Sequence, residues 1–345
     1  VNNVIVTGGS GSFGQAFVRE LMAGDEAERI VIYSRGEHKQ EEMRLALDPK
    51  QERLRFAIGD VRDYRRLQVA MRGIDTVVHA AALKVVPLAE YNPFEALKTN
   101  ALGAANVVEA ALHAGVETVV ALGSDKGASP LNMYGATKLC AEKLFVAANA
   151  YGGLATRFTC TRYGNVTGSA GSVVPRWLAL AGHAPLPVTS FEATRFWMTI
   201  DEAVALVLHA TRHGAPGEVI VPNLPAYTVH ALAEAIDPDG SRTLTGLRPG
   251  EKLHEVMVSA DEAALTWLHH DGHYRIAQHG PEPHGEPLAG PLSSHAAVRL
   301  TVTELRARLA ALGLVPGAEG GDGMSIGTGS TGPNDLDGGT IDDAT

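Results

Sequence analysis

"NVIVTGGSGSFG", from Asn3 to Gly14, passes from a β-branched apolar run into glycines at positions 8, 11 and 14. The run reads as a buried strand, and the apolar periodicity that follows reads as a helix. Glycines at a G-x-x-G-x-x-G spacing permit a tight turn between the two. They also let the backbone approach a pyrophosphate and aim the free N–H groups of the helix start at the anion. Such a triplet is weak alone, because plain loops carry similar runs. At a strand–helix junction it reads as a dinucleotide cradle made by Gly8, Ser10, Gly11, Ser12, Phe13 and Gly14.

Working outward, "RIVIYS", "LRFAIGD", "DTVVHAA" and "TVVALGS" repeat the pattern of a buried strand ending in small or polar residues, with helical segments between them. That alternation predicts an α/β fold, a doubly wound parallel (Rossmann) sheet over residues 1–168. "NPFEALKTNALGAANVVEAALHAG" predicts a long helix with Asn92 as its cap, Pro93 in its first turn and Gly115 closing it. Beyond Gly168 the elements shorten and proline becomes frequent. Residues 169–197 and 223–315 are expected to form a smaller C-terminal substrate-binding lobe, with 198–222 returning to the sheet. Residues 316–345 are rich in Gly, Asp, Ser and Thr, and predict a flexible tail without a core of its own.

The bulk numbers exclude several classes. A hydrophobic share of 45% and a charged share of 20% are those of a water-soluble globular protein. The formal charge of −10 falls to about −4 without the acidic tail, which leaves no basic footprint for nucleic acid or a membrane surface. No apolar run nears the roughly 20 residues of a membrane span. Cys140 and Cys160 are too few for a disulfide framework, and free thiols in a reducing compartment are expected. The chain starts almost directly on a strand, so no secretory signal is expected, and the cytoplasm is the expected location. The histidines of "HHDGHYRIAQHGPEPHGEP" show no regular ligand spacing, so no metal is expected.

The second strand discriminates between cofactors. An NAD site usually ends this strand with an acid that accepts from the ribose 2′-hydroxyl. Here Ser34, Arg35 and Lys39 follow, and a guanidinium suits a 2′-phosphate, although Glu37 lies close. NADP is therefore the expected cofactor. Asp60 and Val61, after the third strand, are placed for the adenine. Ala80, Ala81, Ala82 and Lys84 leave room on the nicotinamide side.

The chemistry sits in "GSDKGASPLNMYGATK", Gly123 to Lys138. Tyr134 and Lys138 share one helix face. A phenol titrates near pH 10, and a neighbouring ammonium together with a cationic nicotinamide favours its ionisation. The pair suits removal of a sugar hydroxyl proton while hydride leaves the same carbon. Asp125 and Lys126 follow the strand end, where the chain can bend ahead of Pro130; at a plain loop tip they would be a solvated pair. An acid, a base and a tyrosine together suit more than simple oxidation. Eliminating water across C5 and C6 of a 4-keto hexose needs a base for C5–H and an acid for the C6 hydroxyl. Lys126 fits the base if its pKa is lowered, and Asp125 the acid if its pKa is raised. Close pairing of the two opposes both shifts.

Taken in order, "TGGSGSFG", "SRGEHKQ", "GDVRD", "HAAALKVVPLAEYNP", "KTNALGAANV", "SDKGASPLNMYGATK", "RYGNVTGSAGSVVP" and "LRPGEKLHE" resemble the UDP-N-acetylglucosamine 4,6-dehydratases of the extended short-chain dehydrogenase/reductases. The resemblance covers roughly residues 1–260. It implies NADP, a UDP-sugar substrate, a homo-oligomer (dimer or hexamer), and catalysis by Ser124, Asp125, Lys126, Tyr134 and Lys138. Ser124 stands where the family usually has threonine. Tyr134 implies the C5-inverting group, since a longer related group has methionine there. The same resemblance adds Asn100 and Val166 to the cofactor side. It gives Lys84, Asn165, Ser169, Val173, Arg195, Arg248 and Glu251 to the substrate, with Arg248 toward a diphosphate and Glu251 toward a ribose. Val85 and Ala170 depart from the histidine and arginine common in the family. The alternatives are a nucleotide-sugar C4- or C5-epimerase, a dehydratase of another nucleotide sugar, and, outside enzymes, an NADP-sensing regulator.

Overall fold

The β-branched runs pair as their burial demands. The computed structural model describes residues 2–24, 27–47, 52–151, 155–168, 172–277 and 287–315. Ser169, Ala170 and the whole 316–345 segment lie outside the described residues. The first six strands are β1 (Asn3–Thr7), β2 (Arg29–Ser34), β3 (Leu54–Ile58), β4 (Thr76–His79), β5 (Thr118–Leu122) and β6 (Arg157–Thr161). They lie side by side in the order β3-β2-β1-β4-β5-β6, all parallel. Val4 is in register with Ile30 on one side and Thr76 on the other. Two apolar layers cover the sheet: one contains Ile5, Val77, Val119 and Phe158, the other Val4, Val6, Val78 and Ile220.

Glu218–Pro222 continues the sheet parallel to β6. Beyond it the structure departs from the expected boundary. His273–Ala277 pairs antiparallel with Glu218–Pro222, and Thr266–Leu268 pairs with His273–Ala277. This hairpin falls within 223–315, the range expected to belong to the smaller lobe. The segment carries a charged residue, Arg275, in mid-strand, so its pattern lacks the unbroken apolar run of the other strands. In the fold Arg275 is buried and neutralised by Glu218, 3.3 Å away, and by Asp271.

The remainder of the lobe has a separate core, in which Trp177, Leu186, Val188, Trp197, Leu232, Leu305 and Leu309 pack together. It is built on the helices Val173–Leu180, Val229–Ile236 and Val302–Ala311. The expected long helix after Asn92 runs on in helical conformation through Pro93–Ala96, a wider π turn over Leu97–Leu102, and Gly103–Ala114. Asn92 does not cap it through its side chain; its amide donates to the Leu88 carbonyl instead. Gly115 does end the helix, at φ 68°.

Candidate active site

The carboxyl ends of β1, β4 and β5 open into a cleft of about 1030 Å³, at the point where strand order reverses between β1 and β4. Gly8 turns the chain at φ 71°, and a Cβ there would meet the Ala81 nitrogen at 2.8 Å. At Gly14 a Cβ would sit 2.5 Å from the Gly9 Cα. Both positions therefore exclude side chains for packing reasons. Gly11 precedes the helix Ser12–Ala23 and brings no side-chain cap, so the helix start presents its amides to the cleft. On the outer rim, Ser10 donates to Ser34 at 2.8 Å. Arg35 lies 3.8 Å from Asp60, which Arg62 holds more closely at 2.6 Å.

The backbone after β5 bends as a short turn, Asp125–Gly127, and Ser129 adopts φ 50° just before Pro130. The bend puts neighbours in sequence on the same side. Asp125 is only 1% exposed, and both of its oxygens accept from Lys126 Nζ, at 2.9 and 3.1 Å. Lys126 also donates to Asn165 Oδ1 at 2.8 Å and lies 3.4 Å from Glu255. Burial alone would lower the lysine pKa, but Asp125 and Glu255 outweigh it and hold the ammonium well above its ordinary value. Lys126 is thus a cation in this state, and the lowered pKa that a direct base requires is absent.

Tyr134 and Lys138 lie on the helix Met133–Ala148, which Asn132 caps by accepting from the Gly135 amide at 2.8 Å. Burial raises the Tyr134 phenol, against a hydrogen bond with Ser124 and the nearby charge of Lys126. Burial lowers the Lys138 ammonium, which donates to the Leu122 carbonyl. The cation whose charge reaches the phenol here is therefore Lys126.

The lobe supplies the opposite wall. Arg195, 7% exposed, binds Glu251 at 2.8 Å and lies 3.6 Å from Glu255. Arg248 is exposed and pairs with the other Glu251 oxygen at 3.1 Å. Asn132 ties the walls together by donating to the Gly250 carbonyl at 2.8 Å.

Three kinds of likeness bear on this architecture. A profile described as polysaccharide biosynthesis protein matches residues 4–278, most of the chain. The chain belongs to this family. Over 268 residues, 77% of this chain and 80% of the relative, it is 47% identical to a UDP-N-acetylglucosamine 4,6-dehydratase (inverting) of Campylobacter jejuni. It is also 42% identical over 287 residues, 80% of this chain and 83% of the relative, to a UDP-glucose 4-epimerase of Rickettsia felis. Among solved structures, Pen from Bacillus thuringiensis superposes with a TM-score of 0.83 at 33% identity, covering 90% of this chain and 98% of that one.

Within this family member, the expected site residues mostly converge. Ser12, Phe13, Lys39, Val61, Ala80, Ala82, Lys84, Val166, Asn165, Arg195, Arg248 and Glu251 all line the cleft, together with the glycines and the catalytic candidates. Glu37, the acid that blurred the cofactor signal, is not on its lining. Two residues are elsewhere. Asn100 is buried behind the wall, where it holds the Leu83 backbone at both ends and donates to Thr137 at 3.0 Å. Both ends of its amide are engaged by these bonds, and it is not on the cleft lining. Val173 is 37% exposed at the start of its helix and does not reach the cleft. Glu255, in contrast, was quoted within "LRPGEKLHE" and given no role. It is 3% exposed, lines the cleft, and its Oε2 has no hydrogen-bond partner among the described residues. Nothing local in the sequence distinguishes it from a surface glutamate.

Proposed function

We propose that the chain is an NADP-dependent 4,6-dehydratase of UDP-N-acetylglucosamine, giving a 4-keto-6-deoxy sugar with inversion at C5. The carrying observation is the Asp125–Lys126 pair turned into the same cleft as Ser124 and Tyr134. The 47% identical relative with that printed activity supports the reading. The cradle fits the cofactor: Gly8 and Gly14 leave no room for a Cβ, and Gly11 sets no side-chain cap over the helix start. Ser34, Arg35 and Lys39 would take a 2′-phosphate beside Gly36, where the helix Glu37–Ala46 begins without a side-chain cap. When bound, the nicotinamide supplies the hydride acceptor for C4 and the donor for C6.

The chain's own residues do the proton work. Tyr134 takes the C4 hydroxyl proton with Ser124 beside it. Lys126 serves C5, and Asp125 serves the departing C6 oxygen. Arg195, Arg248 and Glu251 form a charged wall suited to the UDP moiety, and Lys84 adds a cation on the cleft rim. The 4-epimerase reading has its own support in the 42% identical relative. It leaves the buried acid–lysine pair without a task. Product mass separates the two: incubation with UDP-N-acetylglucosamine should release one water, and an unchanged mass refutes dehydration.

A further inference from the structure

The Asp125–Lys126 pair does not stand alone in the cleft: Glu255 and Arg195 meet it. Glu255 lies 130 positions from Asp125 in sequence, yet its Oε1 is 3.4 Å from Lys126 Nζ and 3.6 Å from Arg195 Nε. Both Asp125 oxygens are engaged by Lys126, and Ser124 shares Oδ1. Glu255 Oε2 is buried with no hydrogen-bond partner among the described residues, so this carboxylate has capacity to spare. Its backbone is fixed by two bonds with Ser294, which deny it an easy retreat.

We propose that Glu255 is a positioning residue for the elimination step: its carboxylate takes one proton from Lys126, freeing the amine to act at C5. This rests on the dehydratase reading. Among the described residues, the charged and titratable groups facing Glu255 are Asp125 and Lys126 on the turn, Arg195 on Thr194–Phe196, Tyr227 on Ala226–Thr228, and Lys252 on its own segment. Burial, and next the Asp125 charge, raise the Glu255 carboxyl, so its protonated form is within reach. A sugar seated over the pair removes the remaining water, and a drier site favours the neutral acid and amine over two charges.

The protons balance. One Lys126 N–H bond breaks and a Glu255 O–H bond forms. The C5–H bond then gives its proton to the Lys126 amine and its electron pair to the C4 ketone. Collapse of that enolate breaks the C6–O bond. The departing oxygen takes a proton from Asp125, which received the C4 hydroxyl proton through Tyr134 and Ser124. Once C6 is reduced, Lys126 protonates C5 and recovers the proton held by Glu255.

Glu255→Gln and Glu255→Asp, assayed in D₂O with UDP-N-acetylglucosamine, test this. Glu255→Gln should keep C4 hydride exchange within about threefold while slowing water loss and C5 deuterium uptake about 100-fold. Its elimination rate should climb roughly tenfold per pH unit toward alkaline pH, because Lys126 must now lose its proton to solvent. The wild-type rate should stay flat over that range, and Glu255→Asp should recover part of it. Equal slowing of both steps, or an unaltered pH profile, overturns the proposal. A second readout needs no sugar. Acetylation of Lys126 at fixed pH, read by mass spectrometry, should be roughly tenfold faster in Glu255→Gln, whose lost charge lowers the lysine pKa. If the wild-type protein leaves the sugar's mass unchanged, the dehydratase reading fails by itself. The acetylation rates then decide the Lys126–Glu255 pairing, and equal rates refute it.

Discussion

Replacing Glu262 by glutamine should loosen the joint between the helix Met133–Ala148 and the segment that follows Met257. Arg162 is fully buried and stretches between Glu142, one turn beyond Lys138, and Glu262. It donates to both Glu262 oxygens at 2.8 Å and to the Met257 carbonyl at 2.8 Å. Burial alone would raise the Glu262 carboxyl, but Arg162 and the Ser259 turn bring it from 4.5 down to about 2. That shift corresponds to about 3 kcal/mol of native-state stabilisation. The sign follows from the direction. A depressed carboxyl contributes fully above its unfolded pKa near 4.5, and the contribution fades as pH falls toward about 2. Urea unfolding followed by tryptophan fluorescence suits the measurement, because Trp177, Trp197 and Trp267 are all buried. The wild-type minus Glu262→Gln difference should be about 3 kcal/mol and level from pH 7 to 5, then shrink below pH 4.5. A difference under about 1 kcal/mol, or one that does not change with pH, would show that the Arg162 bridge is not what depresses Glu262.

Three further outcomes are expected. Arg35→Ala combined with Lys39→Ala should weaken NADPH binding by about 10- to 100-fold and leave NADH nearly untouched, by fluorescence titration; equal losses would remove the 2′-phosphate assignment. Lys126→Ala should still exchange hydride at C4 but lose about 10³-fold in water elimination, with no C5 exchange against solvent; normal elimination would refute its role. Gly14→Ala forces a methyl to within 2.5 Å of the Gly9 backbone, so dinucleotide binding should fall sharply and stability by about 1–3 kcal/mol. Unchanged calorimetric affinity there would mean that the cradle has slack the packing does not show.

Much of the site was legible because its signals are local. The strand–glycine–helix run, the Tyr134–Lys138 spacing and the Asp125–Lys126 dipeptide each encode a short piece of geometry that neighbouring residues enforce. A strand ending in glycine must turn, and residues four apart on a helix must share a face. The Lys126 ionisation was beyond that reach, since burial and the ion pairs compete and only their distances decide the sign. The setting of Asn100 was out of reach for a similar reason: the π turn that brings it to Leu83 and Thr137 has no local signature.

The sequence determined the parallel sheet, the glycine turn after its first strand and most of the residues that line the cleft. Tertiary packing alone decided that Glu255 faces Lys126, that Arg275 is neutralised in a hairpin on the sheet edge, and that Val173 lies off the cleft lining. The reason is one of range. Backbone stereochemistry acts over a few residues, whereas a buried charge is explained only by the partner that the fold carries to it from a hundred residues away.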